Sequence, residues 1–280
     1  MTRAEVRTLQ DWVITEWWDE GDWDADVLYD IDPDGFWALL DDEGQIVGGL
    51  STIAPTDEAG SVSHLYLSPA ARGKGIWRRS LADLFTLLGH RLNDNMTVTN
   101  FVMPDARAAV EPWGFVPLHD EIRMVRAAGP APAATDNLGV VDARGIPFEE
   151  VVSFDAAHSG RAREALWHRW LHLPDAMSGA VVEHGRLLGI GTIRPSARGH
   201  RIGPLFATDT SVAERLLRRL IPEASGTRIA MDVPECNPAA PSLAQALGFV
   251  EEFRTIRMVR GRIPDVPWQE CYATVMLHLD

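Results

Sequence analysis

The sequence predicts an α/β protein built from two tandem domains, and three observations lead to this prediction. Stretches with the alternation of β-strands and stretches with helical periodicity follow one another along the chain. Residues 129–135, which are rich in proline, alanine and glycine, divide the 280 residues nearly in half. The second half then repeats the order of elements of the first. We therefore expect domains at 1–127 and 139–280, joined by a linker at 128–138.

The first half is predicted to contain a hairpin, a strand that runs into a glycine-rich turn, and a helix after that turn. Residues 35–40 and 45–53 have strand patterns on either side of a polar turn, and 62–68 form the strand before the glycines. The amphipathic run from 76 to 91 predicts the helix. The remaining elements are a strand at 96–102, a short helix at 104–110 and a strand at 113–126.

The second half shows matching patterns. Helices are predicted at 148–157, 161–171, 210–221 and 239–247, and strands at 178–183, 186–194, 227–233, 254–260 and 270–277. Residues Arg201 to Ala207 stand where the first half has its glycine turn. They lack its pattern of one arginine and two glycines.

The turn at residues 72–75, Arg-Gly-Lys-Gly, combines the features of a phosphate-binding loop. Two glycines let the backbone approach a ligand, and a helix starting at Ile76 offers unpaired N–H groups. Arg78 and Arg79 add positive charge, and the spacing matches neither a Walker loop nor a dinucleotide fingerprint. The turn predicts a phosphate or pyrophosphate site; the alternative is a tight connection between a strand and a helix.

Composition narrows the class of partner. The chain is 46% hydrophobic and 24% charged, as expected for globular cores. Its net charge of −14 argues against nucleic acid and favours cationic or small neutral substrates, unless the excess acid only maintains solubility. Cys236 and Cys271 are too few and too far apart for a disulfide framework or a zinc cluster. With no targeting motif and no long apolar run, we expect a cytoplasmic protein that does not enter a membrane.

Acidic and aromatic residues are concentrated near the N-terminus. Between Asp11 and Asp42 there are twelve acidic residues, five tryptophans and no lysine or arginine. Carboxylates beside aromatic faces suit an organic cation. They also suit an amphipathic helix with a solvated acidic face, so both interpretations stay open.

At the glycine turn the chain resembles the acetyl-CoA-binding motif of the GNAT N-acetyltransferases. That motif is a strand, a proline, two variable residues, Arg-Gly-x-Gly-Ile-Gly and a helix, and Leu65 to Pro69 with Arg72 to Ile76 match it. Trp77 departs from it, because the family usually has glycine or alanine there. The resemblance implies a mixed, mainly antiparallel sheet flanked by helices, with acetyl-CoA as the cofactor. The residues it implies for acetyl-CoA are Leu65, Leu67, Arg72, Gly73, Lys74, Gly75, Ile76, Trp77, Arg78 and Asn100.

Two further segments resemble the tandem, YitH-type branch of this family. The second half matches its C-terminal domain at 202–207, 232–235, 248–249 and 255–261, without a second acetyl-CoA motif. The segment from Glu20 to Asp24 partly resembles an element found early in that branch. From these segments we predict that five carboxylates bind the substrate: Glu20, Asp22, Asp24, Asp232 and Glu235. For Asp232 and Glu235, the alternative is that they cap a helix.

Acetyl transfer to an amine needs a polarised thioester carbonyl and a proton acceptor. Backbone N–H groups of a splayed strand near 65–67 are candidates for the first role. His64 and Tyr66 share one face of that strand, and His64 is our first candidate base unless it is an ordinary surface or core residue. The family often has a tyrosine acid where this chain has Val110. The other histidines, including His158, show no metal-ligand spacing, so no metal is expected.

These features predict an N-acetyltransferase that uses acetyl-CoA and acts on a small amine such as an amino acid or a polyamine. We expect a monomer or a homodimer. The alternative is a non-catalytic sensor of CoA or a small ligand, which Trp77 and Val110 favour and the intact turn at 72–75 opposes. A third possibility, acylation of a protein lysine, would predict an open groove.

Overall fold

The computed structural model describes residues 1–16, 18–76, 80, 83, 86, 89–92, 95–130 and 138–279. The predicted linker lies largely outside these residues, as do Trp77 and Arg78. Every described position from Ile76 to Arg91 is helical, in agreement with the helix predicted after the glycine turn.

The described residues form twelve strands that belong to one sheet. The strands are β1 (Phe36–Leu40), β2 (Ile46–Thr56), β3 (Ala59–Leu67), β4 (Thr97–Val102), β5 (Val116–Arg126), β6 (Val140–Asp142), β7 (Met177–Glu183), β8 (Arg186–Ser196), β9 (Gly199–Ala207), β10 (Ile229–Pro234), β11 (Val250–Arg260) and β12 (Cys271–Ala273). Their order is β1-β2-β3-β4-β11-β5-β10-β9-β8-β7-β6, and β12 pairs with β9. Most neighbouring strands are antiparallel, whereas β3 with β4 and β9 with β10 are parallel.

Helices flank this sheet. They are α1 (Arg3–Thr15), α2 (Asp24–Ile31), α3 (Arg107–Val110), α4 (Phe148–Ser159), α5 (Glu164–Trp170), α6 (Thr210–Leu220) and α7 (Ala239–Ala246). Helix α1 begins with a capping box, in which Thr2 and Glu5 satisfy each other's backbone N–H groups. None of the described helices is long and apolar enough to cross a membrane.

The two halves of the chain exchange strands. Strand β11 of the second half lies between β4 and β5 of the first half, and β5 in turn lies between β11 and β10. The exchange converts what would be two sheet edges into paired strands, which removes unpaired backbone groups at the junction. One sheet therefore runs through both halves.

A hydrophobic core also joins the halves. Leu28 and Phe36 of the first half pack in the same cluster as Trp167 and Trp170 of the second half. Both tryptophans are fully buried. Burial of such large apolar surfaces favours a fixed arrangement of the two halves.

Each half contains a pair of parallel strands that separate after three residues. In the first half, 59–61 pair with 97–99, and the two strands then diverge. In the second half, 200–202 pair with 229–231. In the second half, β12 fills the gap between β9 and β10. It pairs with β9, and the N–H of Thr274, the residue after β12, donates to the carbonyl of Asp232 on β10. The gap in the first half forms a cleft instead.

Three predicted elements differ from the structure. Residues 201–207, predicted to replace the glycine turn, belong to strand β9, because they pair with both β8 and β12. The last strand, predicted at 270–277, is limited to Cys271–Ala273, because the chain then leaves the sheet towards the first half. Strand β5 starts at Val116 rather than 113, because Gly114 adopts a left-handed conformation with φ of 83°.

Candidate active site

A cleft of about 390 Å³ opens where β3 and β4 diverge. Residues 63–67 of β3 form one part of its lining, and Asn100 and Phe101 of β4 form another. Leu277 and His278, from the C-terminal segment, also line it. Val13, Glu16, Trp18 and Arg72 complete the lining. The cleft therefore combines residues from both ends of the chain.

Strand β3 carries a bulge at the cleft. Ser63 pairs with Ser51 and Tyr66 pairs with Gly49, so two residues of β3 face one residue of β2. At this bulge His64 has a left-handed backbone with φ of 52°, which is uncommon for a residue with a side chain. The next residue, Leu65, is 53% exposed. The bulge is the irregularity that the sequence prediction placed near 65–67.

Three buried side chains meet beside the bulge: Glu20, His64 and His278. Glu20 Oε2 lies 3.4 Å from His64 Nε2, and Glu20 Oε1 lies 2.6 Å from His278 Nε2. The two imidazole rings stack with their centroids 4.0 Å apart. We call these three residues the His–Glu–His cluster.

Hydroxyl groups face the other nitrogen of His64. Its Nδ1 lies 2.8 Å from Ser51 Oγ and 3.3 Å from Ser63 Oγ. A carboxylate only accepts hydrogen bonds, so Nε2 must carry the hydrogen that faces Glu20. In the neutral ring Nδ1 then accepts from a serine hydroxyl. Because Ser63 lines the cleft, it connects the buried imidazole with the cleft.

Burial and mutual charge set the protonation of this cluster. Burial opposes ionisation of Glu20, but His278 and His64 together hold its pKa well below its usual range. Burial lowers the pKa of His64, and His278 adds to this effect while Glu20 opposes it. Near neutral pH the cluster therefore presents a carboxylate and an uncharged His64, which is the form that can accept a proton.

The same three residues deserve comparison with a metal site, since their ligand atoms all lie within 4.8 Å of one another. A metal ion would need the lone pairs of both imidazoles to converge on one point. The two rings are only 25° from parallel, so their in-plane lone pairs point in similar directions. Glu20 Oε1 already lies 2.6 Å from His278 Nε2, which is the distance of an ion pair without the alignment of a hydrogen bond. This geometry favours a proton-sharing network.

The two glycines of the turn at 72–75 both have left-handed backbones. Gly73 and Gly75 have φ of 76° and 72°, and a side chain at either position would meet no atom within 4 Å. Glycine is thus needed there for backbone conformation rather than for space. Ile76 anchors the turn by packing against Leu39 and Leu67. Lys74, the one lysine of the whole sequence, is exposed.

Arg72 connects the end of β3 with the end of α1. Its Nε donates to the carbonyl of Leu67 at 2.9 Å, and Nη2 lies 2.5 Å from Glu16 Oε1. Its guanidinium also lies over the ring of Tyr66. Arg72 therefore braces the rim of the cleft, and its side chain remains about half exposed.

The structure places two more predicted residues at the cleft. Tyr66 is buried, and its ring stacks on Trp12 of α1 with centroids 5.7 Å apart. Asn100 is half-buried on β4, opposite Met258 of β11. Val110, which stands where the family often has a tyrosine, packs against the apolar cluster that includes Phe115.

The other predicted carboxylates do not line the cleft. Asp24 is fully buried and pairs with Arg194, and Asp22 is exposed. Asp232 is buried between Arg123 and Arg201, and Glu235 lies on the surface. The arginine partners neutralise the two buried carboxylates, so Asp24 and Asp232 form internal ion pairs and do not present their charge to the cleft. Glu20 alone among the predicted carboxylates joins the cleft cluster.

Several cleft residues were missed in the sequence. His278 lies in a short apolar segment, and nothing in its local pattern connects it with His64. Ser51 reaches His64 through the pairing of β2 with β3, and Trp18 reaches the cleft from the segment after α1. Only tertiary contacts bring them together.

Comparisons with known proteins assign the class. Residues 4–111 match the Acetyltransferase (GNAT) family, and residues 151–273 match an Acetyltransferase (GNAT) domain. Holothin acyltransferase of Pseudoalteromonas sp. (strain SANK 73390) is 30% identical over 278 residues, covering 98% of this chain and 91% of that protein. The fold, the cleft and these matches define an acyltransferase. More narrowly, the chain belongs to the GNAT acetyltransferase family and carries two GNAT domains in tandem.

Solved structures support the fold. A Pyrococcus horikoshii protein described as an acetyltransferase is 19% identical and superimposes with a TM-score of 0.80, covering 100% of this chain and 94% of that one. A tandem GNAT protein from the clavulanic acid biosynthesis pathway is 18% identical with a TM-score of 0.56, covering 78% of this chain and 80% of that one. At such identities the likeness shows the fold alone, and it confirms the predicted fold class.

Proposed function

We propose that this protein transfers the acetyl group of acetyl-CoA to the amino group of a small molecule. One observation carries the proposal: the bulged strand, Arg72 of the glycine turn and a buried histidine all meet at one cleft. The family supports acyl transfer, whereas the acetyl group and the amine are inferences from the site.

We expect the cleft to take the acyl end of a CoA thioester. The backbone of 72–75 would hold the phosphates, since its glycines adopt conformations that expose N–H groups and its lysine supplies charge. Backbone groups of β3 near Leu65 and the side chain of Asn100 would hold the acyl arm. When bound, acetyl-CoA supplies an activated acyl group.

His64 would remove the proton that an amine must lose. Ser63 at the cleft can take a proton from the amine as it passes its own hydrogen to His64 Nδ1. The net result is that the amine loses one proton and the imidazole gains one. The Glu20 carboxylate then stabilises the charged imidazole through Nε2. This assignment gives a buried histidine access to the cleft without moving it.

The size of the cleft favours a small acceptor. Its volume of about 390 Å³ must hold both the acyl arm and the acceptor. Because one relative is named holothin acyltransferase, holothin is one acceptor to test, together with amino acids and polyamines.

The test is release of CoA thiol from acetyl-CoA in the presence of a panel of amines. We expect at least one amine to accelerate thiol release, and His64→Ala to reduce that rate about 10²-fold or more while acetyl-CoA still binds. Reactions without amine correct for Cys236 and Cys271. Binding of acetyl-CoA with no acceleration by any amine would instead favour a sensor, the alternative that Val110 supports.

A further inference from the structure

The C-terminal segment is held firmly beneath the first-half cleft. Ser61 Oγ donates to the backbone carbonyl of His278 at 2.6 Å, at the last paired residue before β3 and β4 diverge. Arg161 Nη2 donates to the carbonyl of Leu279 at 2.5 Å. Val275 and Met276, which lie between β12 and His278, are fully buried. The segment thus runs from the filled gap of the second half to the open cleft of the first.

This anchoring sets His278 against the side of Glu20 that does not face His64. The distance from His278 Nε2 to Glu20 Oε1 is 2.6 Å, shorter than the 3.4 Å between Glu20 Oε2 and His64 Nε2. The side chains of Glu20 and His64 are 1% and 2% exposed, whereas that of His278 is 10% exposed. A carboxylate so deeply buried needs a compensating group at each oxygen, and at Oε1 that group is the imidazole of His278, which lies close to it without hydrogen-bond alignment.

We propose, resting on the proposed function, that His278 is a positioning residue for acyl transfer. It holds one oxygen of Glu20 so that the other oxygen orients His64, and the second half of the chain thereby completes the site of the first. The left-handed backbone of His64 supports this role, because strain of this kind persists where surrounding contacts demand it.

The proposal predicts opposite shifts of the pKa of His64 in two variants. The groups that act on His64 are His278, which lowers its pKa, and Glu20 and Asp24, which raise it. Without His278, the Glu20 carboxylate interacts with His64 only, so the pKa of His64 should rise. Removal of the Glu20 charge should lower it. A purely structural role for His278 predicts no change in the pKa of His64 when His278 is replaced.

The test compares His278→Gln, His278→Leu and Glu20→Gln with the unaltered chain. His278→Gln keeps an N–H group that can face Glu20, and His278→Leu keeps bulk without one. We expect kcat to fall about tenfold in the leucine variant and less in the glutamine variant, with the Kd for acetyl-CoA unchanged. The acidic limb of the pH–rate profile should move to higher pH in both His278 variants and to lower pH in Glu20→Gln. His168→Gln, on an exposed face of α5 away from the cleft, is the control.

A second measurement does not depend on activity. NMR titration of labelled histidine rings gives the pKa of His64 directly in each folded variant. The same two opposite shifts support the proposal even if no acceptor is found, whereas an unchanged pKa of His64 in His278→Leu overturns it. Failure of the proposed function looks different, since the unaltered chain would then release no thiol with any amine.

Discussion

Asp24 and Arg194 join the two halves of the chain through a buried pair of hydrogen bonds. Arg194 Nε and Nη2 donate to Asp24 Oδ1 and Oδ2, each at 2.9 Å, and both side chains are 1% exposed. Asp24 also accepts from the N–H of Gly21 just before α2. Burial alone would raise the pKa of Asp24, but Arg194 holds it below its usual range.

Loss of either partner should therefore be costly. Asp24→Ala leaves Arg194 buried without a counter-charge, and we expect the free energy of unfolding to fall by about 3–5 kcal/mol. Urea unfolding followed by tryptophan fluorescence measures the loss. Asp142→Ala is the matched control; it breaks the exposed pair with Arg144 and the cap on the Arg144 N–H, and should cost only about 1 kcal/mol. Equal effects of the two variants would contradict the assigned role of Asp24.

The two turn glycines should matter to acetyl-CoA more than to stability. Alanine at Gly73 or Gly75 must adopt a left-handed backbone, at a cost of about 1 kcal/mol each. Gly44 has the same conformation in the hairpin between β1 and β2, with equally open surroundings. All three alanine variants should lose similar stability in thermal unfolding, and only the first two should bind acetyl-CoA several-fold more weakly. Unchanged affinity in both would remove the glycine turn from the cofactor site.

Lys74 offers a direct footprint of the bound cofactor. Because the sequence has one lysine, an amine-reactive label followed by peptide mapping reports on Lys74 and the N-terminal amine alone. Saturating acetyl-CoA should protect Lys74 while labelling of Met1 stays constant as an internal reference. Lys74→Arg should retain most of the affinity and Lys74→Ala should lose it, since the charge is what a phosphate contacts. Full labelling of Lys74 at saturation would place the phosphates elsewhere.

One acetyl-CoA should bind to each chain. Strand β12 fills the second-half gap with backbone hydrogen bonds, and a ligand could enter only by displacing it. Isothermal titration should give a stoichiometry of one, and Arg72→Ala with Lys74→Ala should abolish the binding event. A stoichiometry of two, with one event surviving in that variant, would show that the second half also takes the cofactor.

Local patterns predicted much of this fold. The hairpin of β1 and β2, strand β3 and helices α4 and α6 all follow from periodicity and turn residues close together in the chain. Those same residues, together with the resemblance to the family, located the predicted acetyl-CoA turn. Prediction failed for 201–207, because this segment was aligned with the glycine turn of the first half, whereas it forms a hairpin with β8 and pairs with β12 from far along the chain.

The sequence by itself determined the fold class and the glycine turn, because strand alternation, helical periodicity and turn residues depend on neighbours within a few residues. Only the tertiary structure decided which carboxylates serve the site. Asp24 and Asp232 are neutralised by arginines from distant strands, whereas Glu20 meets His64 and His278. The physical reason is that burying a charge is costly unless a partner lies against it, and the exchange of strands between the halves determines which partners are near.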